Sequence, residues 1–228
     1  MCPTRYYILQ QFGGFYLDLD HVALRPLDYW TLTHEALLSH EHYAHSYVMH
    51  QRDEPNVINS MLAAKPRHEL FTMLTDNLIE YSTIYNVLYS TGPFFVQEIL
   101  DMYQHARKRR RSHASPVTVL HPRYFVPRFD PRTRDDYKRQ CPRQHAEQRH
   151  QHKYDICRRL LATDYSNDVS CESFVDHLWA HVASPPPQLR RQHNNNSSSS
   201  SSGTQTDDVF NVYEAFPRSK PGSALVRC

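Results

Sequence analysis

The segment GGFYLDLD, residues 13–20, is the most informative stretch of this chain of 228 residues. Two glycines turn the backbone, and the aromatic and aliphatic run after them predicts a short strand. Asp18 and Asp20 end that strand one residue apart, so both carboxylates are expected on one face. Carboxylate oxygens are ligands that suit Mg²⁺ and Mn²⁺, and proteins often share such ions with substrate phosphates. The segment therefore predicts a metal site that carries a phosphorylated ligand.

Composition excludes several classes of protein. The formal net charge of +2 is too small to indicate nucleic-acid binding, and we expect no nucleic-acid partner. Five cysteines are widely spaced with no CxxC pair, which disfavours a structural zinc site and leaves one or two disulfides open. No apolar run of about 18 residues predicts a membrane span, and the N-terminus shows no apolar leader.

Periodicity and turn residues predict an α/β fold. Strands are predicted at 15–19, 117–120 and 123–126, with one or two more within 35–50, around ALLSH and HSYVM. Helices are predicted at 5–12 before the glycine pair, at 56–85 as two helices divided by Pro66, and at 94–103 after the turn 90–93. Residues 107–113 are predicted as a solvated loop. The alternation of strands and helices indicates a mixed sheet flanked by helices.

The block GGFYLDLDHVALRPLD (13–28), preceded by Arg5 on a helix, resembles the glycosyltransferases with a DXD sugar-binding region. That family includes polymannose and inositol-phosphoceramide mannosyltransferases and α-1,4-galactosyltransferase. Four further segments add to the resemblance: VINSMLAAKPRHELF (57–71), STGPFFV (90–96), LHPRYFVPRF (120–129) and SFVDHLWAHVAS (173–184). It extends over roughly residues 5 to 184.

The resemblance implies a GT-A fold and a metal-dependent enzyme. The expected reaction moves a hexose, mannose first, from GDP-mannose or a UDP-hexose to a glycan or glycolipid acceptor with retention, at a Golgi membrane. Mn²⁺ or Mg²⁺ is the expected cofactor. Residues 1–184 would form the catalytic domain without its first βα units, so the chain resembles an N-terminally truncated copy. Residues 185–228, which include a serine run, are expected to be a disordered tail.

The resemblance also implies roles for individual residues. Asp20 would bind the metal with His177 as a further ligand, and Asp18 would contact the ribose, the donor sugar or the metal through its water. Arg5 would approach the diphosphate or ribose, and Asn59 the donor-sugar hydroxyls. The remaining expected donor-binding residues are Gly13, Gly14, Tyr16, Thr91, Gly92 and Pro93. Front-face transfer is the preferred route, because no carboxylate in the sequence is an obvious nucleophile.

Alternative interpretations remain for several of these features. An asparagine such as Asn59 is often a helix cap, and a lone histidine beside a tryptophan is often structural. Asp53 or Glu54 is a candidate neighbour of the acceptor. The basic run 108–111 is either a loop or a contact for a phosphorylated or lipid-linked acceptor.

Two rival functions also follow from the sequence. The first is a non-catalytic fragment or pseudoenzyme that acts at most as a binding protein. The second is a histidine-rich metal-binding protein, for which zinc would need three or four converging ligands. Its candidates are expected to be mostly surface residues: His34, His40, His42, His45 and His50.

Overall fold

A four-stranded mixed sheet is the centre of the fold. The computed structural model describes residues 3–110, 115–141, 151–167 and 169–180. The strands are β1 (Gly14–Leu17), β2 (His21–Ala23), β3 (Ala36–His40), β4 (Val57–Ala64), β5 (Val117–Leu120) and β6 (Val175–His177). The helices are α1 (Thr4–Phe12), α2 (Asp28–Thr33), α3 (Glu69–Tyr81), α4 (Val87–Ser90), α5 (Pro93–Arg110), α6 (Pro122–Phe125), α7 (Arg134–Gln140) and α8 (Gln151–Ala162). A π-helix spans His45–Met49, and a 3₁₀ turn spans Pro131–Thr133.

The strand order of the main sheet is β1-β4-β3-β5. β1 and β3 both pair with β4 in antiparallel fashion, and β5 runs parallel to β3. Gly14 lies opposite Ala64, and Leu17 lies opposite Met61. A separate two-stranded sheet joins β2 to β6 in antiparallel register. The segment that follows β1 is therefore held next to a strand from the far end of the described chain.

Helices cover both faces of the main sheet. On one face, α1, α3 and α5 pack side chains such as Tyr6, Phe71 and Phe95 against the sheet. On the other face, Phe125 of α6 packs with residues of β3 and β4. A third apolar cluster joins the π-helix to α7 and α8, and a Cys141–Cys157 disulfide lies within it. The predicted α/β class with a mixed sheet flanked by helices is confirmed.

One predicted helix is wrong and is the central strand of the sheet. Residues 57–64 form β4, whereas α3 confirms the second predicted helix after Pro66. All eight residues of β4 are buried, because Leu62 packs on one face and Met61 on the other. A strand buried on both faces shows no polar alternation, so its apolar run can be mistaken for a helix.

Three shorter predictions are also wrong. The HSYVM segment is a π-helix rather than a strand. Residues 122–125 form α6, where His121 Nδ1 accepts a hydrogen bond from the Arg123 backbone N–H at the start of the helix. The predicted loop at 107–113 is helical as far as Arg110, because lysine and arginine favour helices and keep their charges in solvent.

The remaining predictions on chain organisation concern parts outside the described residues. The tail at 185–228 and residues 111–113 of the predicted loop lie outside the described residues, so those predictions stay predictions. Within the described ranges, no helix combines the length and the apolarity needed to cross a membrane.

Candidate active site at the end of strand β1

The glycine pair lets α1 turn directly into β1. Gly13 ends the helix at φ +66° and donates its N–H to the Leu9 carbonyl at 2.9 Å. A Cβ at this position would lie 2.6 Å from Pro66 and 2.7 Å from the Ala64 carbonyl. Only glycine fits such a backbone and such a close approach. The turn therefore sets α1, and Arg5 with it, beside the carboxyl end of β1.

Asp18 is the first carboxylate of the DXD segment, and Arg5 and Tyr16 hold it in place. The Arg5 guanidinium donates to Asp18 Oδ1 at 3.0 Å, and the Tyr16 hydroxyl donates to the same oxygen at 2.6 Å. Arg5 also lies over the Tyr16 ring, 4.5 Å from its centroid. Burial, together with the Asp18 carboxylate, raises the pKa of Tyr16, so its hydroxyl stays protonated and remains a donor.

Arg5 also connects this carboxylate to the TGP loop. Its guanidinium donates to the Asn59 carbonyl at 2.7 Å. The Asn59 side-chain amide donates to the Thr91 carbonyl at 3.3 Å, and the Tyr6 hydroxyl donates to that carbonyl at 2.7 Å. Asn59 lies in β4 and is buried, so it is not the helix cap considered from the sequence.

The TGP loop itself approaches the preceding short helix closely. Gly92 is buried, and a Cβ on it would lie 2.6 Å from the Leu88 Cα. Pro93 begins α5 directly after it. The structure thus brings Arg5, Asp18 and Thr91 into one connected hydrogen-bond network.

Asp20 lies in a different set of contacts, between two histidines. His177 Nε2 is 3.2 Å from Asp20 Oδ2, and His21 Nδ1 is 3.4 Å from Asp20 Oδ1. The two imidazole rings stack with centroids 4.1 Å apart. Pairing of β2 with β6 sets His21 directly opposite His177. The cluster is therefore a product of the sheet register.

The two histidines control the charge of Asp20. Burial alone would raise the pKa of Asp20, but the interactions with His177 and His21 outweigh it and hold the pKa well below its usual range. Burial lowers the pKa of His177 against the opposing effect of Asp20. An ionised carboxylate thus faces an imidazole that readily gives up its proton, which is the state in which both groups can bind a metal.

The donor atoms of this cluster fit a metal ion. One ligand atom from each of Asp20, His21 and His177 lies within 4.8 Å of the other two. Bonds of about 2.0–2.2 Å place neighbouring donors of one ion roughly 3.0–3.6 Å apart. The distances of 3.2 Å from His177 and 3.4 Å from His21, each to a different oxygen of Asp20, lie in that range. Within the described residues, the buried His21 Nδ1 has no hydrogen-bond partner. Two imidazoles with one carboxylate suit a transition ion better than Mg²⁺.

Asp18 does not belong to this metal-like cluster. The sequence predicted that both carboxylates converge on one ion, but Oδ1 of Asp18 is directed to Arg5 and Tyr16. Asp18 is still near enough for its charge to act on His177.

The histidine-rich segment does not form a second metal centre. Among residues 3–110, 115–141, 151–167 and 169–180, only the Asp20 cluster brings three potential ligands together. His42 is half-buried and packs on Phe129, while His45 is buried and packs edge-on against Trp179 at 5.0 Å. The expectation that these histidines lie mostly on the surface is wrong for His45, which is part of the core.

His21 is the site residue that sequence reasoning missed. It directly follows Asp20, but the histidine-rich metal site considered from the sequence included only five histidines further along the chain. The RPL segment supports the same region, because the Arg25 guanidinium donates to the Cys171 carbonyl and lies 5.7 Å from the centroid of the Phe174 ring. A histidine adjacent to a predicted ligand was the available signal.

Comparison with known proteins gives a family match for the segment that contains these aspartates. Residues 3–37 match the family model described as a glycosyltransferase sugar-binding region containing a DXD motif. This confirms the resemblance, since the matched segment contains Arg5, Asp18 and Asp20. No solved structure matches the chain significantly.

Three curated fungal proteins are similar to about half of the chain. Mannosyl phosphorylinositol ceramide synthase SUR1 of Saccharomyces cerevisiae is 29% identical over 126 residues, which is 53% of this chain and 29% of SUR1. The synthase CSH1 of the same yeast is 28% identical over 123 residues, 52% of this chain and 29% of CSH1. Inositol phosphoceramide mannosyltransferase 1 of Schizosaccharomyces pombe is 29% identical over 122 residues, 51% of this chain and 33% of that protein. The aligned part thus spans about a third of each relative.

Proposed function

We propose that this chain belongs to a metal-dependent mannosyltransferase with a GT-A fold. The observation that carries the proposal is the pair of networks at the end of β1, where Arg5 holds Asp18 and two imidazoles hold Asp20. The match to a DXD sugar-binding region covers both aspartates. The names of the similar proteins support mannose as the sugar and an inositol-phosphate sphingolipid as the acceptor.

The residues have separate tasks in this proposal. Asp20, His21 and His177 would hold Mn²⁺. The bound ion would neutralise negative charge that develops on the leaving diphosphate. The Arg5 guanidinium suits phosphate oxygens or ribose hydroxyls near Asp18. Asp18 accepts hydrogen bonds from Arg5 and Tyr16 and retains its second oxygen for a hydroxyl of the donor. The donor is GDP-mannose first, with a UDP-hexose as the alternative.

Retention fits front-face transfer. In this route the acceptor hydroxyl attacks the anomeric carbon on the side that the diphosphate leaves, and a diphosphate oxygen takes the hydroxyl proton. No enzymic nucleophile is required. A lipid acceptor supports a Golgi membrane as the place of the reaction.

An assay of donor hydrolysis and transfer tests the proposal, with GDP-mannose and UDP-hexoses as donors and Mn²⁺ or Mg²⁺ as the ion. Asp20→Asn keeps the size of the side chain and removes its charge, and we expect a loss of about 10²- to 10³-fold or more. Exposed Asp76 offers the matched control Asp76→Asn, which should leave the rate unchanged.

Metal binding is measured separately, by the visible absorption of bound Co²⁺. Wild type should bind Co²⁺ tightly, and the variants His21→Ala and Asp20→Asn should bind it at least about tenfold more weakly. Co²⁺ binding without turnover on any donor would favour the non-catalytic interpretation. Equal Co²⁺ binding by wild type and both variants would contradict the metal site.

A further inference from the structure

A polar cavity lies beside the π-helix, which contributes Tyr47 to its lining. Its volume is about 250 Å³, somewhat below the 300–1,000 Å³ typical of drug-sized ligands, so it suits a single ring with a substituent. The lining side chains come from the loop after the π-helix and from the start of the described part of α8. They are Tyr47, Gln51, Arg52, Asp53, Gln151, His152 and Lys153.

The charges around the cavity favour an anion that also carries hydroxyl groups. Among the described lining residues, Arg52 and Lys153 are cations and Asp53 is a carboxylate. Guanidinium and ammonium groups bind phosphate oxygens well. A carboxylate and the two glutamine amides can bind hydroxyls, which a simple phosphate ion lacks. The Tyr47 ring, parallel to His152 at 5.3 Å, gives a flat wall for a ring of the ligand.

Arg52 is exposed, and two contacts orient it. Its guanidinium lies 5.8 Å from the centroid of the Phe94 ring, and its backbone N–H donates to the Ser46 carbonyl at 3.0 Å. No carboxylate of the described residues lies within salt-bridge distance of it. Gln51 before it has φ +50°, a conformation that costs free energy for a residue with a side chain.

A buried polar network holds this loop. The Ser46 hydroxyl donates to Glu41 Oε1 at 2.7 Å and accepts the Asn56 N–H at 2.8 Å, and the Glu41 N–H donates to the Asn56 carbonyl at 2.9 Å. Glu41 and Ser46 are both buried. Burying a carboxyl group costs stability. Closing a surface loop does not by itself require such a buried carboxyl group.

Two ring contacts connect the π-helix to the candidate active site. His45 begins the π-helix and packs on Trp179, whose ring stacks on His177 at 4.0 Å. Tyr47, two residues later, lines the cavity. π-Helical turns occur frequently at functional sites. The π-helix therefore lines the cavity through Tyr47 and is connected to His177 of the metal cluster through Trp179.

We propose that this cavity binds the phosphate-bearing polyol of the acceptor, with Arg52 and Lys153 on the phosphate and Asp53 with the two glutamines on the ring hydroxyls. The assignment to an acceptor rests on the proposed function, whereas binding of a phosphorylated polyol does not. The phosphate would orient the polyol, and its distance from the metal cluster would select which hydroxyl reaches the donor.

Calorimetric titration of the full chain with myo-inositol 1-phosphate tests the inference, with inorganic phosphate and myo-inositol as comparison ligands. We expect the phosphorylated polyol to bind at least about tenfold more tightly than either. Arg52→Gln and Lys153→Gln should each weaken it about tenfold or more, the loss expected for one charge-assisted hydrogen bond. Exposed Arg134 offers the control Arg134→Gln, which should change nothing.

Further arms separate the possible sources of the ligand and the two proposals. Vesicles of phosphatidylcholine with and without phosphatidylinositol show whether a lipid-borne headgroup is accepted, and preference for the inositol vesicles that Arg52→Gln abolishes supports the acceptor assignment. Asp20→Asn should retain binding of myo-inositol 1-phosphate although it abolishes sugar transfer. Binding of phosphate as tight as that of the phosphorylated polyol, or binding unchanged in Arg52→Gln, would overturn the inference.

Discussion

Glu41 gives the most direct test of the loop that carries the cavity. Its side chain is almost fully buried, and burial raises its pKa from 4.5 to about 7, although Ser46 and Arg52 oppose the rise. His50 Nε2 lies 3.9 Å from the second carboxylate oxygen, and the charge on Glu41 also reaches Tyr137. The folded chain therefore binds a proton at Glu41 over a pH range in which the unfolded chain has lost it.

The sign of the pH effect follows from this difference in proton binding. Because the folded state holds the proton more strongly, raising the pH from about 4.5 to about 7 favours the unfolded state. Each unit of pKa difference corresponds to about 1.4 kcal/mol, so a difference of roughly 2.5 units gives a loss of about 3 kcal/mol. The stabilisation is fully present below about pH 4.5 and is lost as the pH passes the folded-state value.

The variant Glu41→Gln isolates this contribution. The amide keeps an oxygen that accepts the Ser46 hydroxyl but never ionises. Urea unfolding followed by circular dichroism gives the free energy of unfolding of both proteins at several pH values. We expect the two to be similar near pH 4.5 and the variant to be more stable by about 3 kcal/mol near pH 8.

Exposed Glu54 of the same loop supplies the control Glu54→Gln, whose stability should follow that of wild type. A difference between Glu41→Gln and wild type that stays constant over the whole pH range would refute the reasoning, because it would show that Glu41 carries its charge equally in both states.

Two further changes test the frame of the site. Gly13→Ala should destabilise the protein by roughly 3 kcal/mol in urea unfolding, because the added Cβ would clash with Pro66. Gly14 also has a positive φ but has open space around it, so Gly14→Ala is the control and should cost less. Equal losses of stability in the two variants would contradict the clash at Gly13. Replacing Cys141 and Cys157 together by serine removes a disulfide between residues 16 positions apart and should lower the free energy of unfolding by about 3 kcal/mol. A reductant should lower the melting temperature of wild type and leave that of the double variant unchanged.

Local signals were sufficient for much of the fold. The glycine pair ends α1 as predicted, and the strands β1, β3 and β5 lie where apolar runs between turn signals indicated them. The helix α3 was recognised because it keeps a polar face, which gives a clear periodicity of 3.6 residues. These elements are determined within a few residues of sequence.

The errors arose where distant residues decide the conformation. β4 is buried on both faces because helices cover the sheet on each side, and nothing within VINSMLAA reveals that. The segment HSYVM has strand-forming residues, but Ser46 within it bonds to Glu41 and Asn56 and so supports a helical turn. In α6 the signal was local and was missed, since Pro122 at the first helical position follows the capping His121.

The candidate site shows the same division between local and distant determinants. Both aspartates and His177 were predicted from motif and resemblance, because the residues themselves carry the chemistry. The pairing of His21 with His177 depends on the register of β2 against β6, strands separated by about 150 residues. Sequence alone gives no register between such strands, so the composition of the cluster became visible only in three dimensions.

The turn after β1 explains why the two aspartates perform different tasks. Asp18 still belongs to the sheet, because its N–H donates to the Ser60 carbonyl at 2.8 Å. The His21 N–H then donates to the Asp18 carbonyl at 3.0 Å, which closes a turn and directs Asp20 toward β6, where the Leu178 N–H donates to the Asp20 carbonyl at 2.8 Å. The carboxylates thus lie on either side of a turn. The turn, rather than the alternation of side chains along a strand, therefore separates the carboxylate held by arginine from the one beside the two imidazoles.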